Sequence, residues 1–244
     1  MAQRKPKFDW SSLDRYSLIN YMWELEPHIV RKELTVQEIH SLLYQKLKSF
    51  IPVRIKKYID KKIEKGVVYI GGMYYSEWDR TKQKCIELQF YYQSKNDIYF
   101  LDSRRFKRMC NHFADTILHE IIHMRQFRRR KFKFLPDYPS NAEKTEQRDE
   151  QSYLGNSDEL DAYGFNIACE LTDKFKGNQE RIIKYLSENQ KNKKRKYNSW
   201  RMYLKAFNYE HSHPIIKRLK KKVIRYLPHA AIGKPYKNKD WINW

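Results

Sequence analysis

The sequence is short of cysteine, and it has no long hydrophobic run. Its three cysteines, Cys85, Cys110 and Cys169, are far apart and form no CxxC pair. This spacing argues against a disulfide framework and predicts reduced thiols in an intracellular protein. No apolar run approaches the ~18 residues that a membrane-spanning helix needs. Because the first ten residues, MAQRKPKFDW, also lack an apolar segment, we expect no secretory signal, no transmembrane segment and a cytoplasmic location.

Acidic residues are scarce relative to basic ones. The 244 residues include 50 Lys and Arg but only 29 Asp and Glu, which gives a formal net charge of +21. An excess of this size favours polyanionic partners such as nucleic acid, an anionic membrane surface or an acidic protein. Simple solubility explains it equally well, because charge excess contains no binding motif by itself. The hydrophobic fraction of 41% is sufficient for a folded core and excludes a globally disordered chain.

The first part of the chain, residues 1–66, has the pattern of amphipathic helices. TVQE at 35–38 is a capping box, and apolar residues then repeat on one helical face. A second amphipathic helix is predicted after Pro52, with Gly66 at its end. The apolar residues that define this second helix are Ile55, Tyr58, Ile59 and Ile63.

The period of the pattern then changes from helical to alternating. Three segments rich in β-branched and aromatic residues, 67–75, 84–92 and 96–102, predict a small antiparallel sheet. A long amphipathic helix follows as far as Arg130, and Ser103 is its predicted cap. The predicted fold class is therefore α+β, with a small antiparallel sheet packed on this helix and additional helices at its flanks.

The rest of the chain is predicted to be helical after one long loop. Residues 131–156 contain two prolines and many polar side chains, which predicts the loop. A helix is expected to begin near Ser157. Further helices are predicted at 178–190, 197–208 and 214–227.

The long helix contains the segment TILHEIIHMR at 116–125. Because His119 and His123 are four residues apart, their imidazoles project from one face of the helix and can reach the same zinc ion. Glu120 lies beside them, where it can take a proton from zinc-bound water as a general base. This is the HExxH arrangement of zinc metallopeptidases. A chance match on a buried helix is the alternative, because HExxH is short and Arg125 stands where the extended pattern is usually hydrophobic.

A catalytic zinc site needs a third protein ligand, and the best candidate is Glu159 in NSDELDAYGF. This residue lies near the start of the next predicted helix, beyond the loop. The alternative is purely structural. With Asn156 as the N-cap, Glu159 would be the third helical residue, where a glutamate caps the helix and favours its dipole. Asp158 is the fallback ligand.

Four more side chains are candidates for roles at this site. Catalysis also needs a donor that stabilises the charge of the transition state. We expect Tyr163 to be this donor, with Tyr153 as the alternative. His211 and His213, which precede a predicted helix, are further candidates for a ligand or a donor.

Two further residues of the predicted helix that carries HExxH, His112 and Asp115, have roles that the sequence does not decide. His112 is on the same face as His119 but two turns away, which is too far for the same ion, so we expect it to be bonded elsewhere or exposed. Asp115, four residues before His119, is a candidate to accept the free ring N–H of a metal-binding histidine. A solvent-facing aspartate is the alternative.

The predicted sheet, the HExxH helix and the helix with DELDAYGF together resemble the gluzincin branch of the zincin-like metallopeptidases. The resemblance implies a zincin-like fold, a bound Zn²⁺ and hydrolysis of peptide bonds in a protein or peptide substrate. An edge strand would then hold an extended peptide beside the metal, and we expect 84–92 or 96–102 to be that strand. The resemblance rests on His119, Glu120, His123 and Glu159.

The resemblance divides the chain into three regions. Residues 67–175 correspond to the metallopeptidase core, between an N-terminal helical region, 1–66, and a basic C-terminal helical region, 176–244. We expect the three to pack as one compact unit. The bias towards Lys, Tyr, Asn and Ile also resembles small metallopeptidases encoded by bacteriophages, which implies the host cytoplasm or the virion as its location.

Three basic segments, 124–133, the predicted linker at 191–196 and 213–227, support a second hypothesis, a nucleic-acid-binding protein in which HExxH is incidental. Pairing with the acidic stretch 143–161 is the alternative role for these charges. A hybrid would resemble SprT-like proteases, which act on DNA-bound proteins, but their third ligand is a histidine, whereas Glu159 is the candidate in this chain. The candidate contacts for nucleic acid or another polyanion are Arg128, Arg129, Arg130, Lys220, Lys221 and Lys222.

Overall fold

The computed structural model describes residues 8–140, 142–143, 145–188, 191 and 198–235 of the chain. Helices and strands are mixed along it, which confirms the predicted α+β class. The helices are α1 (Arg15–Trp23), α2 (Glu26–Ile29), α3 (Val36–Lys48), α4 (Ser76–Arg80), α5 (Ser103–Arg129), α6 (Glu146–Gly155), α7 (Ser157–Phe175), α8 (Gln179–Ser187), α9 (Ser199–Ala206) and α10 (Pro214–Ala231). The strands are β1 (Glu33–Thr35), β2 (Val53–Ile59), β3 (Val68–Tyr74), β4 (Ile86–Tyr92) and β5 (Ile98–Phe100).

The chain divides into two compact units, Met1–Met124 and Arg125–Trp244. The first unit contains all five strands and most of α5, and the second contains α6 to α10. None of the helices in the described ranges is long and apolar enough to cross a membrane.

The three-stranded sheet of the first unit has the order β2-β4-β3. Strand β4 runs parallel to β2 and antiparallel to β3, so the expectation of a purely antiparallel sheet is wrong. The reason is that residues 53–59, predicted as a helix, form β2. Val53 and Ile55 alternate into the core, and pairing with β4 along the whole strand stabilises the extended form over the helical one.

This topology corrects one of the two predicted edge strands. Segment 84–92 forms β4, which is the central strand, and segment 96–102 forms β5, which pairs with β1 in a separate two-stranded sheet. In β4 every residue from Ile86 to Phe90 is buried, as expected for a strand with a partner on each side. Strand β3 is therefore an edge strand of the larger sheet.

Local capping motifs set the starts of two helices in the first unit. In α3 the predicted capping box is confirmed: the Glu38 carboxylate accepts from the Thr35 backbone N–H at 2.8 Å, and Thr35 Oγ1 accepts from the Glu38 N–H at 3.3 Å. In α5 the cap is Asp102, whose Oδ1 accepts from the Arg105 N–H at 2.6 Å. The Ser103 hydroxyl instead donates to Glu26, so the prediction of Ser103 as cap is wrong.

The second unit differs from expectation mainly at 146–155, where the predicted loop contains helix α6. Leu154 is buried there, and the Gln151 amide donates to the Ala206 carbonyl at 2.9 Å, so packing gives this polar segment its helical form. Helix α7 packs closely on α10, because a Cβ on Gly164 would lie only 2.8 Å from Lys222 Cβ. The apolar face of α10 is buried within the protein.

Candidate metal centre

The two histidines of the HExxH motif face each other on α5. His119 Nε2 and His123 Nε2 are 3.0 Å apart, and the two rings are nearly perpendicular. His119 is buried and His123 is half-buried. Two nitrogens bound to one tetrahedral zinc ion at ~2.0–2.1 Å would be roughly 3.3 Å apart. The spacing of the two rings therefore fits two ligands of the same ion.

Three side chains of the described part of the chain form a group that could hold a metal ion. They are His119, His123 and Glu159, and their potential ligand atoms all lie within 4.8 Å of one another. Two imidazoles and one carboxylate are a donor set that zinc takes in catalytic sites, where a fourth position stays open. The residues that the sequence singles out as ligands thus fit the chemistry of Zn²⁺.

Glu120, the residue between the two histidines, lies against strand β3. A Cβ added to Gly72 would come within 2.6 Å of Thr116 Cγ2 and 2.8 Å of Glu120 Oε1. The glutamate is itself buried, so its carboxylate is held between the helix and the backbone of the strand. Gly72 is a residue that the sequence interpretation missed. Its only signal was the pair Gly71-Gly72 inside a predicted strand, which indicates a close approach of another element.

Glu159 does not cap helix α7. Asn156 is the N-cap, because its Oδ1 accepts from the Asp158 N–H at 2.9 Å. The backbone N–H of Asn156, which a capping glutamate would bind, donates instead to the Tyr153 carbonyl at 3.1 Å. The capping part of the structural explanation for Glu159 is thereby removed, while its place in the first turn of α7 still favours the helix dipole. The dipole does not account for the nearly complete burial of its side chain.

Asp158, the fallback ligand, is engaged elsewhere. Its two carboxylate oxygens accept from the two terminal nitrogens of the Arg130 guanidinium at 2.7 and 2.6 Å. This bidentate ion pair connects the end of α5 to the start of α7 within the second unit. A carboxylate that already accepts two charge-assisted bonds is a poor choice for a metal ligand.

Tyrosine hydroxyls surround the Glu159 carboxylate. The Tyr153 hydroxyl lies beside Glu159 and Tyr163, and its pKa is raised by burial and then by the negative charge of Glu159. Although half of the surface of Tyr153 is exposed, its hydroxyl end lies within this group. The ring of Tyr163 meets the ring of Tyr203 edge to face at 5.5 Å. The two tyrosines proposed from the sequence, Tyr153 and Tyr163, are thus brought to the candidate ligand.

Tyr203 is a third tyrosine near Glu159, and the sequence interpretation did not select it. It is fully buried, and its pKa is raised well above the usual value by burial and then by the charge of Glu159. It lies on α9, outside the region that resembles the metallopeptidase core. Nothing in its local sequence distinguishes it from an ordinary apolar position of an amphipathic helix.

The remaining histidine and aspartate candidates have structural contacts. His213 caps α10, because its Nδ1 accepts from the Ile215 N–H at 3.2 Å. Asp115 accepts two bonds from Arg15, at 2.6 and 3.1 Å. His211 is half-buried, and its pKa is lowered by burial and then by the charge of Lys220. Neither His211 nor His213 belongs to the group of potential metal ligands found among the described residues.

His112 is bonded elsewhere, as the sequence predicted. Its Nε2 lies 3.2 Å from the carbonyl oxygen of Ile70 on strand β3. The imidazole therefore joins α5 to β3 within the first unit, where it has a packing role.

Arg130 and Lys222, both proposed as polyanion contacts, form ion pairs within the second unit. Arg130 binds Asp158, and Lys222 Nζ lies 2.6 Å from Asp161 Oδ1. Acidic residues of the stretch 143–161 thus neutralise part of the charge of the basic segments. This pairing was the alternative to polyanion binding that the sequence left open for these basic residues. Burial also lowers the pKa of Lys220.

Comparison with known proteins adds no relative to this description. No family model matches the chain, and no curated protein and no solved structure is significantly similar to it. The chemistry of the site therefore has to be argued from its own residues.

Proposed function

We propose that the protein is a zinc-dependent metallopeptidase with a zincin-like fold. In this proposal His119, His123 and Glu159 hold Zn²⁺, and Glu120 is the general base. The observation that carries the proposal is the convergence of the three potential ligand side chains within 4.8 Å, where two of them, His119 and His123, flank the buried Glu120 on α5. Two histidines and a carboxylate without Glu120 would fit a structural metal site equally well.

The reaction assigned to the site is hydrolysis of a peptide bond. When bound, zinc supplies Lewis acidity, which polarises a carbonyl and makes water acidic enough to attack at neutral pH. Glu120 accepts the proton that the attacking water loses and returns it to the amine nitrogen of the departing peptide. Burial of Glu120 against Gly72 fixes its carboxylate in one position, which favours proton transfer in a single geometry.

Strand β3 is the element best placed to hold the substrate. It is an edge of the three-stranded sheet and carries Gly72 beside Glu120. An extended peptide can pair with the open edge of a strand through main-chain hydrogen bonds. Such pairing would bring a peptide carbonyl alongside α5 without demanding a particular side chain.

Tyr163 is proposed as the donor to the oxygen that becomes negative during the reaction. The assignment is supported by the position of Tyr163, which lies beside Tyr153 in the group of tyrosines near Glu159. The raised pKa of Tyr153 indicates that this environment opposes ionisation of a phenol. A phenolic O–H has an ordinary pKa of about 10 and is a donor at neutral pH, which is what this role requires of Tyr163.

Metal analysis combined with one isosteric variant tests the proposal. The purified protein should contain about one zinc per chain and cleave an unstructured protein such as casein, and chelation should remove the activity reversibly. Glu120→Gln should keep the zinc and the fold but lose the cleavage. Glu150→Gln, an exposed glutamate outside the site, is the matched control and should behave as the unsubstituted protein.

Two outcomes would contradict the proposal. The first is a folded protein without stoichiometric zinc, even after incubation with the metal. The second is proteolysis that Glu120→Gln leaves unchanged. Salt-sensitive nucleic-acid binding in a protein that takes up no zinc would instead support the alternative hypothesis of a nucleic-acid-binding protein.

A further inference from the structure

The outer face of the three-stranded sheet carries a row of tyrosines. Tyr58 on β2 and Tyr69 on β3 are both in register with Tyr91 on the central strand. Side chains alternate along a strand, so this row lies opposite the face that Leu88 and Phe90 bury in the core. Tyr58 is 37% exposed and Tyr69 is 60% exposed. Three adjacent aromatic side chains on one face are therefore accessible to a partner.

Hydrogen bonds on this face hold two of the rings in place. The Tyr58 hydroxyl donates to Glu87 at 3.0 Å, and the Tyr91 hydroxyl donates to Gln89 at 2.7 Å. Gln89 in turn donates to Glu87 at 3.0 Å. The rings of Tyr58 and Tyr91 are stacked, with their centres 5.1 Å apart. Because the rings are already ordered, a ligand that contacts them loses little of its binding energy to immobilising them.

The Tyr58 ring also lies along the sheet. Its hydroxyl partner, Glu87, is in register with Arg54, four residues before Tyr58 on the same strand. Four residues of strand span about 13 Å, so the side chain has to extend along β2 to reach the carboxylate. One face of the ring packs on Tyr91, and the side chain remains 37% exposed, so a base can reach only the part of the ring that Tyr91 leaves open.

The charge presented by this face is positive. Alternation places Arg54 and Lys56 on the same side of β2 as Tyr58, and Lys56 is exposed. Arg54 lies 3.9 Å above the ring of Trp78, and its Nε is 3.6 Å from the Glu87 carboxylate, so its charge balances that of Glu87. The acidic residue of the face, Glu87, is only 2% exposed. The loop between β2 and β3 adds three exposed lysines, Lys61, Lys62 and Lys65, against one exposed acid, Glu64, and the half-buried Asp60.

We propose that this face binds single-stranded nucleic acid, with bases stacked on the row formed by Tyr58, Tyr69 and Tyr91 and with phosphates near Lys56 and the loop lysines. Aromatic platforms within a positive surface are the means by which proteins bind single strands without reading sequence. A duplex is a poor ligand for the same platform, because its bases are already stacked on each other. The proposal does not depend on the peptidase activity and uses none of the proposed metal ligands or catalytic residues, although Tyr69 lies on β3, the strand proposed to hold the peptide.

Fluorescence anisotropy with labelled oligo(dT) and oligo(U) of about 15 nucleotides at low salt tests this site. The protein should bind both single strands more tightly than a duplex of equal length. Tyr69→Ala should weaken binding about fivefold or more, as expected when one stacking contact is lost. Tyr69→Phe keeps the ring and should bind as the unsubstituted protein does.

Two further variants separate stacking from general electrostatics. Tyr44→Ala removes a tyrosine of similar exposure to Tyr58, 39%, on helix α3, and should leave binding unchanged. Lys56→Gln should reduce the dependence of affinity on salt, whereas Tyr69→Ala should leave that dependence unchanged. The proposal is overturned if Tyr69→Ala binds single strands as tightly as the unsubstituted protein. Equal affinity for duplex or for heparin would also overturn it, as would the absence of binding at low salt.

Discussion

Glu120 lies directly against Gly72, with no room for a side chain between them. A Cβ on the glycine would come within 2.9 Å of Glu120 Cγ and within 2.8 Å of its Oε1. The contact joins strand β3 to helix α5 at the residue that the proposed mechanism uses as its base. The position of this carboxylate therefore depends on the backbone of a neighbouring strand as well as on its own helix.

Gly72→Ala should displace Glu120 and destabilise the first unit. The new methyl group would overlap atoms of Thr116 and Glu120, and overpacking of this kind typically costs about 1–3 kcal/mol. A shift of the base by ~1 Å can reduce the rate by ~10²-fold, so kcat should fall more than stability alone explains. Urea unfolding and steady-state kinetics measure the two effects.

The neighbouring glycine provides the matched control. A Cβ on Gly71 would lie 3.7 Å from Tyr91 and 3.8 Å from Gln89, which are ordinary contact distances. Gly71→Ala should therefore be neutral, or stabilising by up to ~1 kcal/mol through reduced freedom of the unfolded chain. Equal destabilisation by the two substitutions would show that the contact between Gly72 and Glu120 has no special role.

Glu159→Gln should weaken zinc binding by about tenfold or more, because even residues that only support the ligands change metal affinity on this scale. Asp158→Asn should leave zinc binding intact, because Asp158 binds Arg130. Competition with a chromogenic chelator measures both affinities, and circular dichroism checks that both variants are folded. Stoichiometric zinc of unchanged affinity in Glu159→Gln would remove this residue from the site.

Tyr163→Phe should lower kcat and leave zinc content unchanged. Loss of one donor to a developing oxyanion typically reduces kcat by about 10²–10³-fold. Tyr153→Phe, which removes the other hydroxyl beside Glu159, should have a smaller effect if Tyr163 is the donor. If Tyr153→Phe causes the larger loss, the roles of the two tyrosines are exchanged.

Stability should fall at alkaline pH, partly because of Tyr99. Burial, followed by the charge of Asp97, raises the pKa of this phenol from 10.0 to about 12. A pKa that is raised by folding adds stability below the unfolded value, and this contribution is lost as pH rises through the folded value. The loss attributable to Tyr99 should thus occur between pH 10 and about 12.

Tyr99→Phe isolates this contribution, because it removes the ionisable group and a 3.3 Å bond to the Val67 carbonyl but keeps the ring. Urea midpoints measured across the alkaline range should decline less steeply in the variant than in the unsubstituted protein. An identical decline would assign the alkaline loss to other groups, such as Cys110, whose thiol pKa is also raised by burial to about 12.

Local patterns predicted most of the helices but misassigned one strand. The capping box at Thr35 and the stripe of apolar residues along α5 depend only on neighbours in sequence, and both are present in the structure. Residues 53–59 were predicted as a helix because their apolar residues also satisfy a helical period. Their extended form depends on pairing with β4, which is more than 25 residues away in the sequence and cannot be read from the segment itself.

The sequence by itself determined the two histidines and the glutamate of α5 as one chemical unit, because helical spacing alone places them on neighbouring positions. Only the tertiary structure decided what surrounds them. It removed the capping explanation for Glu159, assigned Asp158 to Arg130 and placed Gly72 against Glu120. The last two contacts join residues that are far apart in the chain, so their geometry is set by packing, on which the local pattern carries no information.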